Sequence, residues 1–462
     1  MKNKYIVILL VTLVTLMTLS TGVQAAEYSL EELITKGLKN NLEIRQLEND
    51  IETTNRNIKL NKSRSDWQAD LNLNKVLVEE DTIGVDRVND KVNISVNKKV
   101  SDDNINVSPT VSYDFDGSEV IYGMNINMNI YPNLPSENIK GLIRLNNQLH
   151  QEKKRLNTLK AELVKEWLNK YLQLVRLEEN INVLKDRLEL AENNYAELKE
   201  KAEINEAGQQ ELLQGEADLK DAEYNLKEVE QQYSQLKTSL LNSLQLEKNV
   251  DLNLNPDNKV LTDLKEKTNN VNLDKLNKEK TIENIVKTSS EFISNINQKS
   301  YLEKELNWLK KEDSPQVSIE SSYDSQTDFS AILNVSYNIF DSGINELKIE
   351  NKQQAIEDNQ LALKNLYLNT ETNLDKLMDK VELAKMNVEK NKILYNKAVD
   401  EADIISRQYE SGAIEKAVLT NKRLNKKSAQ INLKRATDNL FINRLELLIL
   451  TEPTSVIQEV HN

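Results

Sequence analysis

Few residue types in this chain could perform covalent or metal chemistry. The sequence has no cysteine and only two histidines, His150 and His461, which lie far apart and without a second ligand at metal-binding spacing. Neither histidine belongs to a motif that would supply a general base or a zinc site, so we interpret both as ordinary solvated side chains. The sequence therefore predicts no catalytic residue, no metal site and no cofactor.

The abundant carboxylates are the remaining candidates for chemistry. Paired Asp and Glu side chains could hydrolyse glycosidic bonds, as in a carbohydrate-active enzyme, but that reaction needs them to converge in a pocket. Here they are spread along helical segments, where solvation explains them. We expect that the chain is not an enzyme. Its net charge of -14 also argues against nucleic acid as a partner, because no basic excess is available to neutralise phosphates.

The N-terminal segment has the parts of a secretory signal peptide. Lys2 and Lys4 precede an apolar run over Tyr5–Leu19, and Val23–Ala25 provides a cleavage site with small residues. A membrane anchor is the alternative, but the run is shorter than the roughly 20 apolar residues that a spanning helix needs. We predict that residues 1–25 are removed and that the mature chain is exported.

The mature sequence contains an internal repeat. Ala222–Lys227 aligns with Ala429–Lys434 at an offset of 429 - 222 = 207, and Asn129–Tyr131 aligns with Asn338–Phe340 at an offset of 338 - 129 = 209. Two nearly equal offsets in unrelated segments indicate a duplicated unit. We predict a first repeat over 26–255 and a second over 256–462.

Each repeat contains two long segments with the heptad pattern of coiled-coil helices. Apolar residues recur at alternating steps of three and four from Leu174 to Ala202 and from Leu219 to Leu240 in the first repeat, and from Leu377 to Tyr409 and from Ala429 to Leu450 in the second. Short connections should fold each pair into an antiparallel hairpin. A helix that runs from Ser136 to Ala202 would be on the order of 100 Å long at 1.5 Å per residue, which exceeds the need of a globular domain.

Ahead of each helical hairpin, apolar and polar residues alternate with the period of a β-strand. One such strand ends at Ile130 and its equivalent ends at Ile339, and their partners are predicted over Asp70–Val78 and Gln316–Tyr323. This gives four strands per chain. The following residues are predicted to face lipid: Met124, Ile126, Met128, Leu333, Val335 and Tyr337.

Alternation alone fits a membrane barrel and a half-buried soluble sheet equally well. Four strands cannot close into a barrel, and open edges would aggregate, so we favour closure of one barrel by several chains. The segment Glu79–Pro109 lies between the first two strands and is rich in Asp, Asn and Val. We expect it to form an extracellular hairpin or loop.

Several segments resemble the TolC-like outer-membrane efflux and secretion channels, and the resemblance covers nearly the whole mature chain. The order and duplication of these segments carry the resemblance more than any one of them does. They are the opening helix Tyr28–Asn41, the strand Ser314–Ile319, the strand-to-helix junction Val335–Gly343, the hairpin tip Tyr409–Gly412 and the returning helix Ala429–Leu433.

The resemblance implies a mainly α fold with membrane β-strands, in which a homotrimer forms an α-barrel continuous with a 12-stranded β-barrel. It implies a channel in the outer-membrane lipid with a periplasmic helical tunnel, acting as the exit duct of a tripartite efflux pump or a type I secretion system. The partners would be a periplasmic adaptor, or membrane fusion protein, and an inner-membrane transporter. The sequence has no nucleotide-binding loop, so the energy would come from those partners.

The family pattern also indicates site residues at the hairpin tips, with some departures. Adaptor contact is implied for Asn205, Gly208, Ser411, Gly412 and Ala413. Aspartates can ring the closed aperture in the family, but other residues occupy those places here. Glu211 and Glu415 are the substitutes to test, against the alternative that they are solvated helix charges. The competing interpretation of the whole chain is an exported structural or adhesive coiled coil.

Overall fold

The computed structural model describes residues 27–74, 91–100, 104–115, 117–247, 250–269 and 277–461. The predicted signal peptide lies outside this part of the chain. The strands are β1 Glu27–Tyr28, β2 Gln68–Asn74, β3 Lys91–Val100, β4 Ile105–Asp114, β5 Glu119–Tyr131, β6 Asp251–Leu252, β7 Gln316–Asp324 and β8 Asp328–Ser336. The helices are α1 Leu30–Asn40, α2 Leu42–Ser63, α3 Glu137–Glu203, α4 Gln209–Ser243, α5 Lys259–Asn269, α6 Lys278–Thr288, α7 Ser290–Glu312, α8 Ile344–Glu410, α9 Lys416–Thr451 and α10 Pro453–His461.

The chain forms two compact units, and each unit draws on both predicted repeats. The helical unit takes its described residues from Met1–Arg45, Asn157–Ile285 and Thr372–Asn462. The sheet unit takes them from Gln46–Leu156 and Val286–Glu371. The predicted boundary between the repeats, at residues 255 and 256, stays a prediction, because the two compact units are divided at other positions.

The predicted coiled-coil helices are present, and α8 and α9 begin well ahead of their predicted seams, at Ile344 and Lys416. Helices α3 and α8 each contain 67 residues, and the helices that follow them contain 35 and 36. In the helical unit every residue of the four predicted seams is at least half-buried except Tyr409. The heptad pattern therefore identified the packing faces correctly, because an apolar residue on every third or fourth position gives one continuous stripe.

Helix α3 also has a second packing face, which runs along α9 of the other repeat. Val183 packs with Leu424 and Ile431 in one buried cluster, and the two helices are antiparallel. Ion pairs extend this face along both helices: Lys165–Glu446, Arg176–Asp438, Glu179–Lys434 and Asp186–Lys427. The helical unit is therefore stabilised by contacts between the two repeats as well as within them.

The centre of this second face is a buried charge network. The Arg176 Nε donates to Asp438 Oδ2 at 2.7 Å, and the two side chains are only 7% and 9% exposed. Arg176 also donates to Glu179 Oε2 at 2.8 Å, and Lys434 donates to the other oxygen of Glu179 at 2.6 Å. Partial burial raises the pKa of Glu179, but the hydrogen bonds from Lys434 and Arg176 outweigh it and hold that pKa below its ordinary value.

The opening helix of the resemblance is α1, and its sequence explains its start. Ser29 Oγ accepts from the Glu32 backbone N–H and the Glu32 carboxylate accepts from the Ser29 N–H, which is a capping box. A Cβ at Gly37 would lie 2.5 Å from Leu244 and 2.8 Å from Trp167, so glycine lets α1 pack closely. Next to this core, β1 and β6 pair in a short parallel sheet.

The sheet unit is built around a six-stranded antiparallel sheet in the order β2-β3-β4-β5-β7-β8. The prediction of four strands per chain, two in each repeat, is therefore wrong for the first repeat. Residues 91–100 and 105–114 are strands that pair with β2 and β5, so β2 does not pair with β5. The segment Glu79–Pro109 is predicted from the sequence as an extracellular hairpin or loop, but it contains one whole strand and the start of another that both belong to the sheet.

Two smaller differences concern strand ends. Strand β8 ends at Ser336, so Tyr337 and Ile339 lie beyond it, and β2 ends at Asn74 within the described residues. Part of the predicted loop, residues 79–90 and 101–103, lies outside the described part of the chain. None of the described helices contains a stretch that is long and apolar enough to cross a membrane.

The buried charge network gives a stability prediction. We expect Arg176→Met to lower the free energy of unfolding by about 3–5 kcal/mol, because Asp438 would remain buried without its partner. The double variant Arg176→Met and Asp438→Leu should recover most of that loss, since it leaves no unpaired buried charge. Urea unfolding followed by circular dichroism measures both.

The exposed pair Lys220–Glu223 is the matched control, because both side chains are largely in solvent. Lys220→Met should change stability by no more than about 1 kcal/mol. Equal losses for Arg176→Met and Lys220→Met would contradict the role given to the buried pair.

Candidate functional site: an amphipathic sheet and two helix tips

The strand register divides the six-stranded sheet into one apolar and one polar face. Ile94 lies opposite Leu71 and Val111, and Val111 lies opposite Tyr122. The same face continues across the second repeat, where Ile319 lies opposite both Met128 and Leu333. Because side chains alternate along every strand, this register collects most apolar residues of all six strands on one side.

The opposite face is lined mainly by amides and hydroxyls, with Ile121 and Ile332 as exceptions. Ser322 and Ser330 form a hydrogen bond of 2.6 Å across β7 and β8, and Ser108 donates to Asn97 at 2.6 Å across β3 and β4. Such a surface suits water, because its groups can form hydrogen bonds to solvent. The face also includes Asn72, Asn93, Ser95, Thr110, Asn125, Asn127, Ser318 and Asn334.

The described part of the chain leaves much of the apolar face uncovered. Its exposed side chains range from 40% to 69% accessible and include Leu71, Leu73, Ile94, Val111, Tyr122, Met124, Phe329, Leu333 and Val335. A soluble half-buried sheet would cover these residues with a second layer. An uncovered apolar area of this extent marks a surface for lipid or for another protein.

Aromatic residues of the apolar face form two rows at the ends of the strands. The row near the turns, the turn-end row, contains Tyr113, Phe115, Tyr122, Tyr323 and Phe329. The row near the helices, the helix-end row, contains Trp67, Tyr131 and Tyr337. On β5 the two rows are nine residues apart, about 30 Å along the strand and about 23 Å across a membrane at the usual tilt of roughly 40°.

A β-bulge places Tyr131 in the helix-end row. Asn129 pairs with Ser318 while Tyr131 pairs with Val317, so the register shifts by one residue between them. Without that shift Tyr131 would lie on the polar face. At the same end of the sheet the Lys98 ammonium lies 5.1 Å from the Trp67 ring and 3.8 Å from Asp66 Oδ1. Lys98 is a charged residue at an apolar position of β3, and its long side chain reaches polar groups at the end of the sheet.

The tips of both helical hairpins lie in the helical unit and have the same backbone geometry. At the end of α3, Asn205 has a φ of 58°, and Glu206 N–H donates to Lys201 O at 2.8 Å. At the end of α8, Gly412 has a φ of 73°, and Ala413 N–H donates to Gln408 O at 2.9 Å. Both are Schellman caps, in which a left-handed residue ends the helix.

The two glutamates predicted for an aperture occupy different environments. The Glu211 carboxylate accepts a hydrogen bond from the Gly208 N–H at 2.9 Å, so it caps the start of α4. Glu415 is the N-cap residue of α9 but forms no capping hydrogen bond through its side chain. The pKa of Lys201 is raised by its hydrogen bond to Glu197 and also by the charges of Glu415 and Glu206, so charges of both tips interact.

The predicted site residues fall into two groups. Met124, Ile126, Met128, Leu333 and Val335 lie on the apolar face of the sheet, and Tyr337 lies one residue past β8. The tip residues Asn205, Gly208, Ser411, Gly412 and Ala413 are all exposed. Their predicted contacts with lipid and with an adaptor stay predictions. The sequence interpretation missed both aromatic rows, although their aromatic residues stand at apolar positions of the alternation.

The described residues contain no cluster of His, Asp and Glu that could hold a metal ion. His150 lies on the exposed surface of α3.

No protein-family model and no curated protein sequence matches the chain. Solved structures do match it. The CmeC outer membrane channel of Campylobacter jejuni is 12% identical over 93% of this chain and 89% of that protein, with a TM-score of 0.59. The open state of the MtrE outer membrane channel of Neisseria gonorrhoeae is 11% identical over 91% and 88%, with a TM-score of 0.58. The outer membrane protein VceC of Vibrio cholerae is 10% identical over 93% and 95%, with a TM-score of 0.56.

These likenesses show the fold. The chain has the mostly helical fold with an antiparallel sheet that is found in these outer-membrane proteins, and the resemblance to TolC-like channels is confirmed at the level of the fold.

The left-handed tip residue gives a second stability prediction. We expect Gly412→Asn to leave the midpoint of thermal unfolding nearly unchanged, because Asn205 already occupies the equivalent position. Gly412→Val should cost about 1–2 kcal/mol, since a β-branched residue is strained at positive φ. Ser411→Val, one residue earlier and also exposed, is the control. If Gly412→Val were as stable as Gly412→Asn, the left-handed backbone conformation would not restrict the residue type at position 412.

Proposed function

We propose that this chain is one subunit of a homotrimeric outer-membrane channel, the passive exit duct of a tripartite efflux pump or of a type I secretion system. In this proposal the sheet crosses the outer membrane and the long helices form a tunnel in the periplasm. The protein performs no chemistry of its own. A periplasmic adaptor and an inner-membrane transporter supply recognition and energy.

One observation carries the proposal, which is the uncovered apolar face of the six-stranded sheet. Nine apolar side chains of this face, among them Leu71, Met124 and Leu333, are 40–69% accessible, and the opposite face is predominantly polar. Lipid on one side and water on the other satisfy both faces, which is the arrangement of a membrane β-barrel. The two aromatic rows support it, because Tyr and Trp are favoured where hydrocarbon meets water.

The competing interpretation is an exported structural coiled coil that does not enter a membrane. It accounts for the helices but requires a protein cover over Leu71, Leu333 and their neighbours, and the described residues provide none. The fold likeness to proteins that are described as outer membrane channels favours the first interpretation.

The hairpin tips are the surface that we assign to the adaptor. Asn205, Ser411, Gly412 and Ala413 are exposed, and exposed apolar side chains lie beside the two left-handed caps, Ile204 at the first and Tyr409 at the second. Gly208 is the N-cap residue of α4 and follows the first cap by a few residues. Small exposed loops of this kind allow close approach of a partner backbone.

Opening of the tunnel would occur by movement of the α8–α9 hairpin. Its seam contains Asn391, which donates to the backbone of Asn387 in its own helix at 2.8 Å and so needs no partner on α9. Asn443 donates to Lys380 O across the hairpin at a long 3.4 Å. A seam that is interrupted by such positions can slide at less cost than a fully apolar one.

The membrane proposal is tested by charge substitutions on the two faces of the sheet. Ile126→Arg should destabilise the assembled protein by about 2–4 kcal/mol, because residue 126 lies in the middle of β5 and would place a charge in hydrocarbon. Val335→Arg should cost less, since Val335 is close to the end of β8. Asn127→Arg, on the polar face, is the control and should assemble normally.

The measurement is the amount of protein in the outer-membrane fraction and the mass of the particle in mild detergent. We expect three chains per particle for the parent and for Asn127→Arg, and a reduced membrane fraction for Ile126→Arg. A water-soluble monomer or dimer that tolerates all three substitutions would refute the channel.

The aperture is tested with the two tip glutamates. We expect Glu415→Gln to reduce the preference for cations in single-channel recordings, because the Glu415 side chain is not used for capping. Glu211→Gln should instead weaken the start of α4, by about 0.5–2 kcal/mol, and leave ion preference unchanged. Reversal potentials in a salt gradient provide the readout, and an effect of Glu211→Gln alone would reverse the assignment.

A further inference from the structure

The two repeats are related by two different sequence offsets. After the sheet, the offset from α3 to α8 is 344 - 137 = 207, and the offset from α4 to α9 is 416 - 209 = 207. At the helix before the sheet and at the first sheet strand of each repeat, the offset is larger. The offset from α2 to α7 is 290 - 42 = 248, and the offset from β2 to β7 is 316 - 68 = 248. The first repeat is therefore longer than the second between β2 and β5, by the difference 248 - 207 = 41.

The extra residues contain the β3–β4 hairpin, and this hairpin is a continuous part of the sheet. Strand β4 pairs with β5 from Ile105 opposite Met128 to Asp114 opposite Glu119 without a shift. Strand β3 pairs with every residue of β2. Ile94 and Val111 of the hairpin are 45% and 47% exposed, close to the 40% of Met124 on β5. The hairpin thus adds to the apolar and polar faces in register.

The addition of two strands preserves the geometry of the open edges. The edges are β2 and β8, and since every neighbouring pair in the sheet is antiparallel, these two strands run in opposite directions. An inserted single strand would have made them parallel. Every residue of β2 and β8 is exposed, and Leu71 and Leu333 stand on the same face. Their backbone edges can therefore continue one antiparallel ladder from copy to copy.

Building on the proposed trimer, we infer that β2 of each copy pairs with β8 of the next copy and that the β3–β4 hairpin is part of the membrane wall. Three chains of six strands then close an 18-stranded barrel. This replaces the 12 strands that four per chain would give. Barrel diameter grows roughly linearly with strand number, so the exit is about 1.5-fold wider than in the 12-stranded case.

The test compares distances between spin labels in the purified assembly. The chain has no cysteine, so Leu333→Cys places one label per copy. The comparison variant replaces residues 75–118 with the short turn Ser325–Thr327 of the second repeat, which reduces the sheet to four strands. Pulsed electron resonance should give label distances about 1.5-fold longer in the full chain than in the shortened one.

Equal distances in two intact trimers would overturn the inference and leave the channel standing, because the hairpin would then lie outside the wall. A particle that does not contain three labelled chains, or a protein that is absent from the membrane fraction, would overturn the proposed function itself. Particle mass separates these two failures.

A second measurement on the full chain does not depend on the shortened variant. Single labels at positions 92–96 of β3 should alternate, with 92, 94 and 96 colliding with lipid-dissolved oxygen and 93 and 95 with a water-soluble nickel chelate. Labels at Leu333 and Asn334 on β8 are the matched controls. Exposure of all five β3 labels to the chelate would place the hairpin in water and overturn the inference.

Discussion

The six-stranded sheet depends on partners for both its backbone and its side chains. Strands β2 and β8 expose unpaired N–H and C=O groups, and the apolar face exposes Leu71, Met124 and Val335. Hydrogen bonding at the edges and burial of the face are separate requirements in a soluble protein. In a closed sheet within lipid they become one requirement, because closure joins the edges and lipid covers the face together. The aromatic rows, the bulge before Tyr131 and the even strand number are compatible with the proposed closed barrel.

The helical unit meets many of its demands within the chain, although Leu383, Met386 and Ile393 of α8 are exposed. The seams of its hairpins are buried, its tips are capped by Schellman motifs, and its deeply buried Arg176 has two carboxylate partners. Its exposed surface carries many of the charges of the sequence, which water solvates well. The two units thus differ in how much of their packing the chain itself supplies.

Periodicity predicted most of the fold. Heptads located four helices and their packing faces, and alternation located β5 and most of β8, because each pattern needs only local sequence. The segment Glu79–Pro109 is predicted as a hairpin or loop, but the sequence does not place its strands in the sheet, because Lys98 interrupts the apolar positions of β3. The second face of α3 was missed because Arg176, a charged residue, stands on it beside Val183 and Leu190 at heptad spacing. Only tertiary pairing with Asp438 makes that residue a core residue.

The partnership between α3 and α9 also constrains the order in which the chain can fold. Arg176 and Asp438 are separated by 262 residues. At a synthesis rate of about 5–20 residues per second, α3 waits roughly 15–50 s for its partner helix to exist. During that interval Val183 and Leu190 have no cover from α9, so the emerging first repeat exposes an apolar stripe, and Arg176 has Glu179 as a partner but lacks Asp438. The contact between α3 and α9 can therefore form only after nearly the whole chain has been made.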